Sequence, residues 1–184
     1  MKAVALLILS ALALVAAPSG RAAEPLVIEV FINAPVEEVW RIFTTAEGYR
    51  TTGVVQAEVD LRLGGRIQAH YGPEGRLGDE KTVVHEILAY EPEHMLALRL
   101  VQAPASFPYR DAMGDVWTVI YFTAAGEDMT QVRAVGLGFA DGAQAQALRR
   151  SFEEDTRAML DRIAKRYWPK CARCEREASE ASTE

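Results

Sequence analysis

The 184-residue chain predicts an α+β fold: a curved antiparallel sheet of about seven strands wrapped on one long C-terminal helix, with two short helices after the first strand. Three observations carry this reading. Strand-like runs separated by turn residues recur through the middle of the sequence. Apolar residues spaced three and four apart fill positions 142–167. Pro35 and the pair Gly64-Gly65 break the chain where a helix would begin and a strand would turn.

The N-terminus has one early positive charge, Lys2, then an apolar run from Ala3 to Ala17 broken only by Ser10. Small residues flank Arg21 in Gly20-Arg21-Ala22. This is the pattern of a secretory signal peptide over residues 1–22, with the mature chain starting near Ala23. An uncleaved anchor stays open as the alternative, although the run is shorter than the roughly 20 residues a membrane span needs. No Cys follows the run, which excludes a lipoprotein anchor. Cleavage there removes Lys2 and Arg21 and no acid, so the net charge moves from −6 to −8. So acidic a surface is a poor match for phosphate backbones, and nucleic-acid binding is excluded as a function class.

Residues 23–168 form one domain, with no internal repeat. Aliphatic residues alternate with others over 26–32, a strand pattern. After Pro35, Val36, Val39, Trp40 and Phe43 fall on one helical face, while Glu37, Glu38 and Arg41 fall on the other. Thr44 to Gly48 ends that helix or begins a second short one. Strands are expected over 54–62, 66–71, 81–90, 95–103, 115–123 and 130–139, and one long connection over 104–114 carries Phe107-Pro108-Tyr109. Leu148, Phe152, Met159, Leu160, Ile163 and Tyr167 mark the inner face of the last helix, which Trp168-Pro169 stops. Residues 169–184 form a polar tail.

Two segments carry a family resemblance: Asn33-Ala34-Pro35-Val36-Glu37-Glu38-Val39-Trp40, and Asp60-Leu61-Arg62-Leu63-Gly64-Gly65. Together they resemble the START-like (SRPBCC) superfamily, and within it the group related to the C-terminal domain of the heat-shock-protein-90 ATPase activator. Glu91-Pro92 before Met95-Leu96, and Thr130-Gln131-Val132 after a Gly turn, are similar to further steps of that family. Ala103-Pro104 with Phe107-Pro108-Tyr109 resembles a secreted bacterial subgroup. The resemblance implies a helix-grip fold, in which a cavity between sheet and helix holds apolar molecules. The chain departs from the pattern at Tyr49-Arg50-Thr51-Thr52-Gly53, which lacks a Trp, and at Phe152-Glu153-Glu154-Asp155-Thr156, which lacks the Gly-Trp or Gly-Asn pair of many relatives. Relatives' ligand preferences are therefore not transferred.

Leu96, Leu98 and Leu100 share a strand face opposite Arg99, which makes that face the inward one. With Tyr71, Phe122, Phe152 and Met159 they form the expected lining of an apolar cavity. The phase of Trp117 stays open, because residues 116–122 are apolar on both faces. No residue is assigned as catalytic; His70 and His85, both on predicted strands, are the candidates for a general base facing the cavity. The third histidine, His94, falls in a turn, and no HxH or HExxH spacing is present, so no metal site is expected. There is no Gly-x-Ser-x-Gly elbow and no phosphate loop, and no cofactor is expected. Asp60 is expected to hold its turn through backbone N–H groups, and Gly136 and Gly138 to let the last helix approach the sheet. Cys171 and Cys174, the only cysteines, form a CxxC beyond the last helix. In an oxidising compartment they are expected to form a local disulfide. They stand outside the βαβ context of a thioredoxin-like motif, and no His follows for haem attachment.

The leading functional expectation is an exported, periplasmic protein that binds an apolar small molecule, with no membrane anchor after cleavage. A cyclase- or hydrolase-like enzyme with His70 or His85 as base is the alternative. A protein-interaction module of the chaperone-activator kind is the second alternative. The sequence does not set the oligomeric state. N-terminal sequencing of protein recovered from the cell envelope is expected to read from near Ala23; an intact Met1 on soluble cytoplasmic protein would contradict export.

Overall fold

A computed structural model describes residues 24–168. Its elements run β1 (Leu26–Ile32), α1 (Val36–Thr44), α2 (Ala46–Arg50), β2 (Gln56–Val59), β3 (Arg66–His70), β4 (Val83–Glu91), β5 (Met95–Gln102), a 3₁₀ turn (Arg110–Ala112), β6 (Trp117–Gly126), β7 (Met129–Leu137) and α3 (Ala143–Tyr167). The expected helix-grip order of one strand, two small helices, six strands and a long helix is therefore present.

The seven strands form one antiparallel sheet in the order β1-β7-β6-β5-β4-β3-β2. Six strands meander, and the first returns to pair with the last: Ile28 stands opposite Ala134 and Ile32 opposite Thr130. Register shifts interrupt the β4–β5 ladder between Val84 and His85 and again between Ile87 and Ala89. Bulges of this kind bend a strand and strengthen its twist, which is how a single sheet curls around a helix. The outer face is laced by cross-strand ion pairs. Arg133 meets Glu29 at 3.3 Å and lies over the Tyr121 ring, and Arg99 meets Glu86 at 2.6 Å.

The inner face divides into two apolar clusters. The larger joins Ile28, Ile32 and Val132 to α1 and to the C-terminal half of α3, through Phe43, Leu160, Ile163 and Tyr167. Phe122 anchors it, with its ring 5.4 Å from those of both Trp40 and Phe43. The smaller cluster gathers Leu26, Val116, Phe139 and Leu148 beneath the N-terminal half of α3, with Phe107, Tyr109, Met113 and Phe152 packed against it. Gly136 is what lets Phe152 come down on β7, since a Cβ there would lie 3.1 Å from the Phe152 ring.

Three local readings are refined. β2 is shorter than expected, because the chain leaves the ladder at Asp60 and turns through Gly64, which has φ +70°. That turn is held by backbone bonds from Gly64 N–H to the Ile87 carbonyl and from Ile87 N–H to the Gly65 carbonyl. The Asp60 carboxylate instead accepts from Arg62 Nε at 2.8 Å, so the expected side-chain bonding to the turn is not what fixes it. Pro35 stands just before α1 and not inside it, and its carbonyl accepts the first helical bond from Val39 N–H. The buried Thr130 hydroxyl donates to the Ala34 carbonyl at 2.8 Å, tying the entry to α1 onto β7.

Candidate functional site

Between the two clusters, α3 and the sheet enclose a cavity of about 640 Å3. Its floor comes from β5 and β6, through Leu98, Leu100, Thr118 and Ile120. Leu148, Phe152, Met159 and Leu160 form its roof along α3. The long connection after β5 closes one end with Pro104, Phe107 and Met113. At the other end Tyr49, Thr52 and Gly53 meet Tyr71, Asp155 and Arg162. Tyr71, Asp155 and Arg162 are exposed, so this end is the polar mouth.

The sequence-predicted lining residues are placed in two regions. Tyr71, Leu98, Leu100, Phe152 and Met159 line the cavity. Leu96 and Phe122 do not: both are buried in the larger cluster with Trp40 and Phe43, where α1 fills the concave face. The face of the β5 leucines is as expected, but α1 takes up its first third. Trp117 and Thr118 both touch the cavity at the start of β6; beyond them Ile120 and Phe122 face inward, while Tyr121 is exposed beneath Arg133.

The histidines separate cleanly. His70 closes β3 but lies outside the cavity lining. Its Nδ1 accepts from Gly72 N–H at 3.0 Å, and its Nε2 lies 3.3 Å from Asp79 Oδ2. Asp79 in turn accepts from the N–H groups of Arg76 and Lys81, which with His70 and Thr82 hold its carboxyl below the usual carboxylate range. His70 is thus the peg of the 72–82 loop, and its role as a cavity base does not fit. His94 is exposed, with Nδ1 2.8 Å from the Pro92 carbonyl.

His85 is in the cavity wall. It stands on β4 opposite Ile67 on one side and Leu100 on the other, on the inward face. Its Nδ1 is buried with no hydrogen-bond partner. Burial alone holds its pKa down to about 4, so the ring is neutral near pH 7. Among the described residues, no carboxylate acts on it.

The sequence did not single out Tyr49, Asp155 or Arg162 as site residues. Tyr49 is fixed by α2, whose N-cap Thr45 accepts from Gly48 N–H at 3.0 Å. Burial, and secondarily the neighbouring Tyr71, raise the Tyr49 phenol well above its usual range. Burial, then Asp155, raise Tyr71, against the opposing effect of Arg162. Arg162 Nη1 donates to the Thr52 carbonyl at 2.6 Å, clamping the helix to the loop after α2. The only signal for Tyr49 and Asp155 was their place in the two segments where the chain departs from its relatives' pattern, and Arg162 had none.

Among the described residues, no three His, Cys, Asp or Glu side chains stand close enough to hold a metal, and no helix is long and apolar enough to cross a membrane. Cys171 and Cys174, and the N-terminal run, lie outside the described residues.

Residues 26–167 match the family model described as polyketide cyclase/dehydrase and lipid transport. The fold is similar to that of a Mesorhizobium loti protein, with TM-score 0.60 at 18% identity over 77% of this chain and 95% of that one. The di-domain ARO/CYC protein BexL of the BE-7585A biosynthetic pathway gives TM-score 0.61 at 14% identity, over 77% of this chain and 45% of that one. An HSP90 activator from Plasmodium falciparum gives 0.50 at 16% identity, over 71% and 88%. No curated protein matches the chain. The START-like resemblance read from the sequence agrees with these findings.

The depressed pKa of His85 makes a stability prediction. Between pH 6.5 and about 4 the unfolded chain binds a proton at His85 that the folded chain refuses. Stability is therefore full above pH 6.5 and falls as the pH drops toward 4, by at most roughly 3 kcal/mol for a shift of this size. Asp79 loses stability in the same direction, so the informative quantity is the difference between wild type and His85→Leu. Urea unfolding of both from pH 7 to 4 is expected to show a shallower acid decline in the variant; equal declines would contradict the assignment.

Proposed function

The chain belongs to the polyketide cyclase/dehydrase and lipid transport family, and from that premise we propose that it binds an apolar small molecule between the sheet and α3. The observation that carries this reading is the cavity itself. A void of about 640 Å3, floored and roofed by Leu, Ile, Phe and Met side chains, is the size and character of a small-molecule site. Its ring of polar groups at the mouth suits entry and orientation of a ligand.

A cyclase-like reaction is the second reading, and the placement of His85 in the cavity favours it. The chemistry of that residue counts the other way. A general base works best with a pKa near the operating pH and a partner that orients the ring. His85, held down to about 4 and without a carboxylate, has neither. Binding without turnover is the reading we favour. The interaction-module reading has only a likeness of fold to an HSP90 activator behind it. Export to the periplasm belongs to the proposal on the strength of the charge and apolar pattern of residues 1–22.

Filling the void tests the binding reading. Leu98→Trp and Met159→Trp are each expected to weaken uptake of the hydrocarbon dye diphenylhexatriene by at least about tenfold, since an added ring occupies the space a ligand needs. His85→Ala is expected to leave that uptake nearly unchanged. Undiminished uptake in both tryptophan variants, with native circular dichroism, would place the dye elsewhere and contradict the proposal.

A further inference from the structure

We infer, resting on the reading of the cavity as a binding site, that its ligand is uncharged and carries a carbonyl or hydroxyl group that hydrogen-bonds the imidazole of His85. The inference starts from a polar atom without a partner. His85 Nδ1 is buried and unbonded, in a wall whose cross-strand neighbours are Ile67 and Leu100. Buried polar groups in folded proteins nearly always find a partner, and an orphan costs its full desolvation. Among the described residues nothing bonds this nitrogen, and His85 is itself a lining residue of the cavity, so a ligand there is the partner the imidazole can meet.

Charge then narrows the partner's chemistry. The lining holds one acid and one base, Asp155 and Arg162, which balance each other. Both are exposed on α3 at the mouth, and Arg162 is already committed to the Thr52 carbonyl at 2.6 Å. A carboxylate or phosphate carried to the depth of His85 would lose its hydration with no cation to receive it, and an ammonium would fare no better. The ring does not supply the charge either, since burial keeps it neutral near pH 7. A neutral imidazole offers one N–H donor and one acceptor nitrogen. That pair suits a ketone, ester or alcohol. Tyr49 and Thr118 add further uncharged polar groups to the lining. The site therefore selects a molecule that is apolar along its body and singly polar, without charge, where it meets β4.

A matched set of three-ring probes separates the possibilities: fluorene, fluorenone and fluorenecarboxylate, titrated by displacement of diphenylhexatriene. Wild type is expected to bind fluorenone roughly three- to tenfold more tightly than fluorene, the gain of one net hydrogen bond. It is expected to bind the carboxylate at least about tenfold more weakly than fluorene. His85→Leu is expected to erase the ketone preference while keeping the affinity for fluorene. His85→Gln, which keeps a donor and an acceptor, is expected to retain part of the preference. Equal binding of ketone and hydrocarbon by wild type, or a ketone preference that survives in His85→Leu, would overturn the inference. So would tighter binding of the carboxylate, which would make Arg162 the recognition group. If fluorene and diphenylhexatriene bind but fluorenone gains nothing, this inference alone falls. If wild type takes up none of them, the cavity reading falls with it.

Discussion

A long helix is a nearly straight rod, and the sheet beneath it is curved; everything about the site follows from that mismatch. The 25 residues of α3 extend about 37 Å at 1.5 Å per residue. The sheet bends across its bulged central ladder. Close packing along the whole length is then impossible, and apolar contact is made at two places instead. One lies beneath Leu148 and the other beneath Leu160, Ile163 and Tyr167. The unfilled stretch between them is the cavity. Stability and binding are thus divided along a single helix: its two ends hold the fold, and its middle is free to meet a ligand.

The same mismatch explains which features of the fold and site were legible in the sequence. Element type and order were legible because they depend on local periodicity and on turn residues such as Gly64 and Pro35. The inward face of β5 was legible too, since alternation along a strand is strict. Position along that face was not. Leu96, Leu98 and Leu100 point the same way, yet Leu96 is sealed within the larger cluster while Leu98, at the edge of that cluster, and Leu100 reach the cavity. Only the placement of α1 across the concave face decides this, and no spacing in the sequence encodes it. Phe122 is hidden for the same reason, edge-on to Trp40.

The two strand histidines illustrate a second limit. Both occur among apolar residues, and both looked like candidates for a cavity base. His70 lies at the end of β3, where the chain turns and a neighbouring loop folds over the ring: its Nδ1 accepts from Gly72 N–H, and its Nε2 stands 3.3 Å from Asp79 Oδ2 without a well-directed hydrogen bond. His85 lies within β4, flanked across the sheet by Ile67 and Leu100, and it alone of the two lines the cavity. Position relative to the strand end distinguishes a structural peg from a group free to meet a ligand. The mouth residues Tyr49, Asp155 and Arg162 come from elements far apart in sequence, and only the docking of α3 against the loop after α2 brings them together.

The central claim is that the gap between α3 and the sheet is occupied by a small molecule when the protein is at work. Native mass spectrometry of protein recovered from its own compartment tests this most directly. The account predicts a population heavier than the bare chain by one uncharged organic molecule, which is lost on denaturation and recovered by extraction into organic solvent. Bare protein alone, from preparations that take up no apolar dye afterwards, would contradict it.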